Sequence, residues 1–363
     1  MMVDSFIHDV PAARVVFANG SIAQVGPELD RLGCSRALLV AGGPEAQFAD
    51  RIEADLGPRV VARFSDVVMH VPVDIAERAV TLARESGADS VIALGGGSST
   101  GMAKAIAKET GLPILAVPTT YAGSEMTSIW GMTEGRRKTT GRDLRVLPKT
   151  VVYDPELTIS LPAEISAASG MNAIAHLVEG LYAPGVSPIS FLQAREGIRA
   201  LAAGLPKVAD DPTSLDARCD ALYGAWLAGW TLGTTGMGVH HKICHTLGGT
   251  YDLPHAPSHS AVIAYATDFN SQHAPDAMAA IVRGLNAGGI ACTDAAQGIW
   301  DLAVRIGAPV SLAEVGFDAE SVDEAAAIVA EAQPVNPRPV DHAGVEGVLR
   351  AALAGVRPAG GAQ

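Results

Sequence analysis

Four of the ten histidines fall within sixteen residues, at His240, His241, His245 and His255. On a helix His241 and His245 stand one turn apart and share a face, while His240 points elsewhere. Gly248-Gly249 is expected to end that helix, and Pro254-His255 to return a third imidazole from the following loop. Far upstream, Asn172 and His176 repeat the four-residue spacing in apolar surroundings, where a polar side chain must find a partner, a ligand or a metal. Two chemistries suit such a set. A divalent transition metal takes three imidazoles and a carboxylate or water, and His176, His241 and His255 are the candidate ligands. The carboxylate is missing where the spacing would place it, because Asn172 stands there, and a neutral amide is a poor fourth ligand. Asp252 and Glu179 lie nearby, with nothing in the pattern that turns them inward. The other chemistry is metal-free: histidines hydrogen-bond and protonate a substrate oxygen. A lone helical histidine is more often a satisfied core residue, so it is the convergence of several that points to a site.

A second constellation suits phosphate. Gly95-Gly96-Gly97-Ser98-Ser99 stands between a strand-like run and a helical one. A pyrophosphate needs backbone N–H groups with no Cβ in the way, and the positive end of a helix dipole. A plain tight turn is the alternative, but it does not require three glycines. The segment is not G-x-G-x-x-G, so the common Rossmann family is not implied. Thr119, Thr120 and Ser124 follow the next strand, where open α/β sheets bind ligands. They can bond ribose or phosphate oxygens, or simply cap a helix. Ala41-Gly42-Gly43 offers no carboxylate for an adenosine 2′-hydroxyl, which leaves NADH and NADPH both open.

Basic residues gather in Arg136, Arg137, Lys138, Arg142, Arg145 and Lys149 of an otherwise acidic chain. Lys149 is assigned to the cofactor. Arg142, Lys138 and Lys242, with Tyr121 and Asn172, are assigned to a substrate whose carboxylates suit cationic side chains. The alternative is a solvated hairpin. Arg338 is a further candidate from a loop.

Positioning these groups requires two kinds of scaffold. Up to about residue 154, β-rich runs alternate with amphipathic helical stretches, which predicts a mostly parallel sheet covered on both faces. Residues 131–146 read as a β-hairpin. Beyond Leu161-Pro162 the pattern is helical, with helices expected near 163–183, 188–204, 213–232, 237–248, 258–270, 274–286, 293–307 and 319–332. The domains are therefore 1–160, an α/β NAD(P)-binding domain, and 161–363, a helical substrate and catalytic domain. With 363 residues, 48% hydrophobic and 18% charged, the chain is long enough for two packed domains. A net charge of −13 argues against a nucleic-acid partner. Four scattered cysteines, no leader-like segment and no long apolar run fit a cytoplasmic protein with no membrane association.

Several segments together resemble the iron-containing (group III) alcohol dehydrogenase superfamily. They are Gly95-Gly96-Gly97-Ser98 with Ala103-Lys104, Pro118 to Glu125, Asp154-Pro155-Glu156-Leu157, Gly170 to His176, and His241 to His255. Tyr121 to Thr127, Ile129-Trp130-Gly131 and Lys138 to Arg142 are most similar to the maleylacetate reductase branch. The resemblance implies a dehydroquinate synthase-like fold, an α/β dinucleotide domain followed by an all-α one, and a homodimer. It also implies reduction of the C=C bond of maleylacetate, a small dicarboxylate, to 3-oxoadipate by NADH or NADPH. In metal-dependent members Asn172 would be Asp, completing a set with His176, His241 and His255, and His245 would be the non-ligand histidine near the nicotinamide. Gly101 stands where many relatives carry Asp. Both departures occur in the reductase branch, which implies no metal. His245 and His255 are then expected to stabilise the oxygen or deliver a proton, with His241 and His176 shaping the site. A metal-dependent alcohol dehydrogenase or carbonyl reductase is the alternative, and a non-catalytic dinucleotide-binding protein the alternative of another class.

Overall fold

The computed structural model describes residues 13–135 and 137–360, and the backbone alone at 137 and 138. These residues form two compact units that divide between Leu161 and Pro162.

The first unit alternates strands and helices: β1 (Arg14–Phe17), α1 (Val25–Arg31), β2 (Ala37–Ala41), α2 (Ala46–Leu56), β3 (Val60–Phe64), α3 (Val73–Glu85), β4 (Ser90–Gly95), α4 (Gly97–Thr110) and β5 (Ile114–Pro118). A hairpin, β6 (Ile129–Glu134) and β7 (Arg137–Arg142), precedes β8 (Thr150–Tyr153). The six-stranded sheet runs β1-β8-β5-β4-β2-β3, and every pairing in it is parallel. Every residue of β2, β4 and β5 is buried, as parallel strands covered on both faces must be. The glycine turn leaves the carboxyl end of β4, in the middle of the sheet, between the ends of β2 and β5.

The second unit is helical: α5 (Ala163–Gly180), α6 (Pro188–Asp210), α7 (Leu215–Thr234), α8 (Val239–Tyr251), α9 (His255–Asn270), α10 (Pro275–Ala287), α11 (Ala295–Arg305), α12 (Val322–Glu331) and α13 (His342–Ala354). Helix α5 is buried without a break from Ser166 to Gly180, packed by α6, α7 and α9. A helix apolar all round belongs at a core centre, and its few polar groups are forced into the interior. Val239, Ile243 and Leu247 of α8 recur every four residues and pack in one cluster with Val262, Tyr265 and Phe269 of α9. Among the described residues, no helix is long and apolar enough to cross a membrane.

Three expectations about these helices need correction. Gly248-Gly249 does not end α8, which runs on to Tyr251; Asp252 stops it by taking the left-handed conformation (φ 55°). A short Asx side chain tolerates that region, and glycines within a packed helix need not leave it. His255 lies not in a loop but at the first position of α9, directly after Pro254. Helix α13 is absent from the expected set. Gly344 and Gly347 dilute its helical signal, yet Val345, Val348, Leu349 and Ala352 bury one face and Asp341 caps it through Gly344 N.

Candidate active site

Helix α5 places Asn172, His176 and Glu179 at i, i+4 and i+7, one continuous stripe. All three are buried. Glu179 therefore does point inward, and its carboxylate is the hub of the site. Its oxygens accept from the backbone N–H groups of Gly238 (3.0 Å), His240 (2.9 Å) and His241 (3.3 Å), at the start of α8. One carboxylate thus serves three of the donors that a helix start leaves unpaired. Gly238 is required for this approach: a Cβ there would stand 2.9 Å from Glu179 Oε1 and 2.8 Å from Asn336 Oδ1. The fourth partner of Glu179 is His241 Nδ1, at 2.7 Å. An ionised carboxylate only accepts, so His241 carries its proton on Nδ1 and presents a bare lone pair at Nε2. That Nε2 is buried without a hydrogen-bond partner, as are His176 Nδ1, Asn172 Oδ1 and both ring nitrogens of His259.

His259 enters the site unannounced by the sequence reading, although its place four residues after His255 put it on the same face of α9. Its ring lies 4.3 Å from that of His255, 4.9 Å from those of His240 and His241, and 6.5 Å from that of His176, centroid to centroid. His240 does not point elsewhere. Its ring packs 5.2 Å from that of His241, and its Nε2 lies 3.1 Å from the His259 carbonyl oxygen. It is turned inward because the backbone at the start of α8 is pinned to Glu179. His176 stacks on His241 at 5.0 Å, and His245 lies 6.0 Å from His241. Six imidazoles thus form one contiguous cluster. His176, His240, His241 and His259 are buried, while His245 and His255 are exposed.

Burial dominates the electrostatics. Desolvation pushes the His240 ring down to about 4, with His241 adding repulsion and Glu179 opposing. Desolvation, reinforced by neighbouring rings, holds His176, His241 and His259 well below the ordinary histidine range. The four buried rings are neutral at pH 7. Burial raises the Glu179 carboxyl above its usual value, against His240 and three N–H groups that favour the anion.

The imidazoles that could hold a divalent metal are not the expected trio. Among the described residues, the nitrogens that gather to within 4.8 Å of one another belong to His240, His241 and His259, not to His176, His241 and His255. In that trio His241 donates through Nδ1 to Glu179 and keeps Nε2 free, as a metal-ligating imidazole would, while His240 Nε2 faces a carbonyl oxygen. No anionic donor is left over: Asn172 is an amide, and Glu179 is spent on N–H groups.

In the α/β unit, Gly95 adopts φ +133°, and a Cβ there would stand 2.5 Å from Ser99 Oγ. Gly96 is the N-cap of α4 and no side chain caps that helix, so its first-turn N–H groups have no side-chain acceptor. Ser98 is half-buried and Ser99 buried in that turn. Thr119 is buried, Thr120 lies against Gly96, and Ser124 begins the next 3-10 turn. The loop that carries them is anchored by Lys104, whose ammonium donates to Ser124 O (2.7 Å), Thr127 Oγ1 (3.0 Å) and Ile129 O (2.7 Å). Buried Glu125 accepts from Tyr153 OH at 2.7 Å and completes the clamp. The strand after Arg36 is not without a carboxylate. Glu45, beyond Gly42-Gly43, folds back so that Thr119 Oγ1 donates to its Oε1 at 3.2 Å.

The cationic candidates are dispersed. Arg142 and Lys149 are exposed in the α/β unit, and Lys242 is half-buried beside His241. Arg136 and the side chain of Lys138 lie outside the described residues. Arg145 is paired with Asp143 at 2.7 Å, and Arg338 lies over the Phe269 ring at 4.1 Å. Tyr121 is buried.

Comparison with known proteins places this geometry. Residues 12–155 match the family model for iron-containing alcohol dehydrogenase, and residues 166–353 match that for the Fe-containing alcohol dehydrogenase family, C-terminal. The chain belongs to the iron-containing alcohol dehydrogenase family. It is 49% identical to the maleylacetate reductase of Sphingobium indicum, over 97% of this chain and 99% of that protein. It is 46% identical to that of Burkholderia cepacia, over 98% and 100%. The crystal structure of maleylacetate reductase from Rhizobium sp. strain MTP-10005 superposes with a TM-score of 0.93 at 44% identity, covering 98% of this chain and 100% of that one. As a member of the iron-containing alcohol dehydrogenase family the chain is an oxidoreductase, and its α/β and helical units are the family's two domains.

Proposed function

We propose that this iron-containing alcohol dehydrogenase relative reduces the C2=C3 bond of maleylacetate to 3-oxoadipate with a nicotinamide hydride and without a resident metal. What carries the reading is similarity to maleylacetate reductases over nearly the whole chain, together with the neutral amide of Asn172, buried and unpartnered, where a carboxylate would attract a cation. The α/β unit takes the dinucleotide: Gly95, Gly96, Gly97, Ser98 and Ser99 hold its phosphates, and Thr119, Thr120, Ser124 and Lys149 contact its sugars and charges. The helical unit handles the substrate oxygen.

The double bond is conjugated to the C4 ketone, so hydride adds at C2 and negative charge develops on the ketone oxygen. That enolate collapses by taking a proton at C3. The dinucleotide leaves oxidised, and the sum is one hydride and one proton added across the bond. Enolate stabilisation is the central requirement. His245 and His255, the exposed members, donate to the oxygen or deliver the proton. His176 and the Glu179-oriented His241 shape the site, the latter offering an acceptor at Nε2. Asn172 supplies a neutral acceptor where a charged one would attract a cation. Arg142, Lys138 and Lys242 are assigned to the substrate's carboxylates, and Tyr121 to the substrate.

A spectrophotometric assay of NADH and NADPH oxidation with maleylacetate, with and without chelator, tests this. Turnover is expected to survive chelation, and His245→Ala to lower kcat far more than it weakens dinucleotide binding. Loss of turnover on chelation, restored by iron or zinc, would transfer the reading to a metal-dependent dehydrogenase. Dinucleotide binding with no oxidation by any enone or ketone would make it a non-catalytic binder.

A further inference from the structure

One carboxylate at the glycine turn has no part in the chemistry above. Glu45 ends the 3-10 turn Gly43–Glu45 that follows β2. Its Oε1 accepts from Thr119 Oγ1 at 3.2 Å, beyond the end of β5. A Cβ on Gly95, at the end of β4, would stand 3.2 Å from Glu45 Cδ, and one on Gly42 would stand 3.3 Å from Oε2. The carboxylate therefore lies across the carboxyl ends of β2, β4 and β5, at the edge of the glycine turn. It is half-buried, and no cationic side chain acts on it; desolvation raises its carboxyl above the usual range.

We propose that Glu45 accepts from the adenosine ribose and makes this chain select NADH over NADPH. In doubly wound sheets a carboxylate beyond the strand next to the glycine turn accepts from the 2′-hydroxyl of NAD, whereas NADP requires a cation for its 2′-phosphate. Here the position is supplied not directly after the strand, where Gly42 and Gly43 stand, but by Glu45 folding back over Gly95. A 2′-phosphate at this edge meets an uncompensated negative charge, and like charges at close range weaken binding steeply. The bond to Thr119 holds the carboxylate in place, so the discrimination is built in before the nucleotide arrives.

The assignment rests on the dinucleotide reading of the glycine turn, and the experiment separates the two. Glu45→Gln keeps an acceptor for Thr119 while removing the charge, and Glu45→Ala removes both. For each protein, NADH and NADPH binding is followed by nicotinamide fluorescence and kcat/KM is measured with maleylacetate. Wild type is expected to prefer NADH by about tenfold or more, a difference of about 1.4 kcal/mol. Both variants should shrink that ratio about tenfold, chiefly by gaining NADPH affinity. Wild-type preference for NADPH, or a ratio unmoved in both variants, would overturn the role of Glu45 and leave the glycine turn as a dinucleotide site. Failure of either dinucleotide to bind wild type would overturn that site, and this assignment with it.

Discussion

At Glu179, three backbone N–H groups and one imidazole share the roughly four lone-pair positions of a single carboxylate. That arrangement does two things at once: it pins the start of α8 and fixes the tautomer of His241. A carboxylate that fixes the tautomer of a neighbouring imidazole sets which nitrogen is free to act. Glu179→Gln is expected to lower kcat about tenfold or more, about 1.4 kcal/mol of barrier, with the dinucleotide KM little changed, read by steady-state kinetics. A merely structural role would move the thermal midpoint and leave the kcat of the folded fraction intact. The spacing of Asn172, His176 and Glu179 held this residue in plain view, as His255 and His259 did their own pair. A three-ligand spacing neither turns Glu179 inward nor reaches His259; following each helix face does both. The direction of His240 was beyond such reasoning: it is set by contacts with α5 and α9, which no pattern within α8 contains.

The elements themselves were largely legible. Strands β2, β4 and β5 are short apolar runs closed by glycine or proline, and parallel burial leaves no other reading for them. Glycine proved the ambiguous letter. Gly248-Gly249 predicts a stop and is helical; Gly344 and Gly347 mask a helix; Gly95 does mark a conformation that other residues avoid. Gly95→Ala combines a disfavoured φ with a Cβ 2.5 Å from Ser99 Oγ. Its dinucleotide dissociation constant is expected to rise about tenfold or more, equivalent to about 1.4 kcal/mol, in a fluorescence titration. Circular dichroism should remain unchanged, since the strain is local to one turn. An unaltered constant would remove the turn from the binding site.

For the molecule as a whole, the neutral histidines set a limit at acid pH. Unfolded, each of the four buried rings titrates near its ordinary 6.5; folded, His240 does so at about 4 and His176, His241 and His259 also well below the ordinary range. Below pH 6.5 the unfolded chain binds more protons, so this stability is complete above 6.5 and is lost as the pH falls toward 4. Replacing His259 by Asn should reduce the slope of unfolding free energy against pH by about 1 kcal/mol per unit between pH 6 and 5. Denaturant titrations followed by tryptophan fluorescence check this, with Trp226, Trp230 and Trp300 all in the helical unit. An unchanged slope would mean that His259 is charged within the fold.

The crowding of those rings carries one more implication. Each buried imidazole is held neutral partly by the others, so the first to gain a proton makes every further gain dearer. The buried part of the cluster consequently resists a second proton even more strongly than a first. Held neutral, the buried rings leave proton delivery in the proposed reduction to His245 and His255 at the exposed side of the cluster.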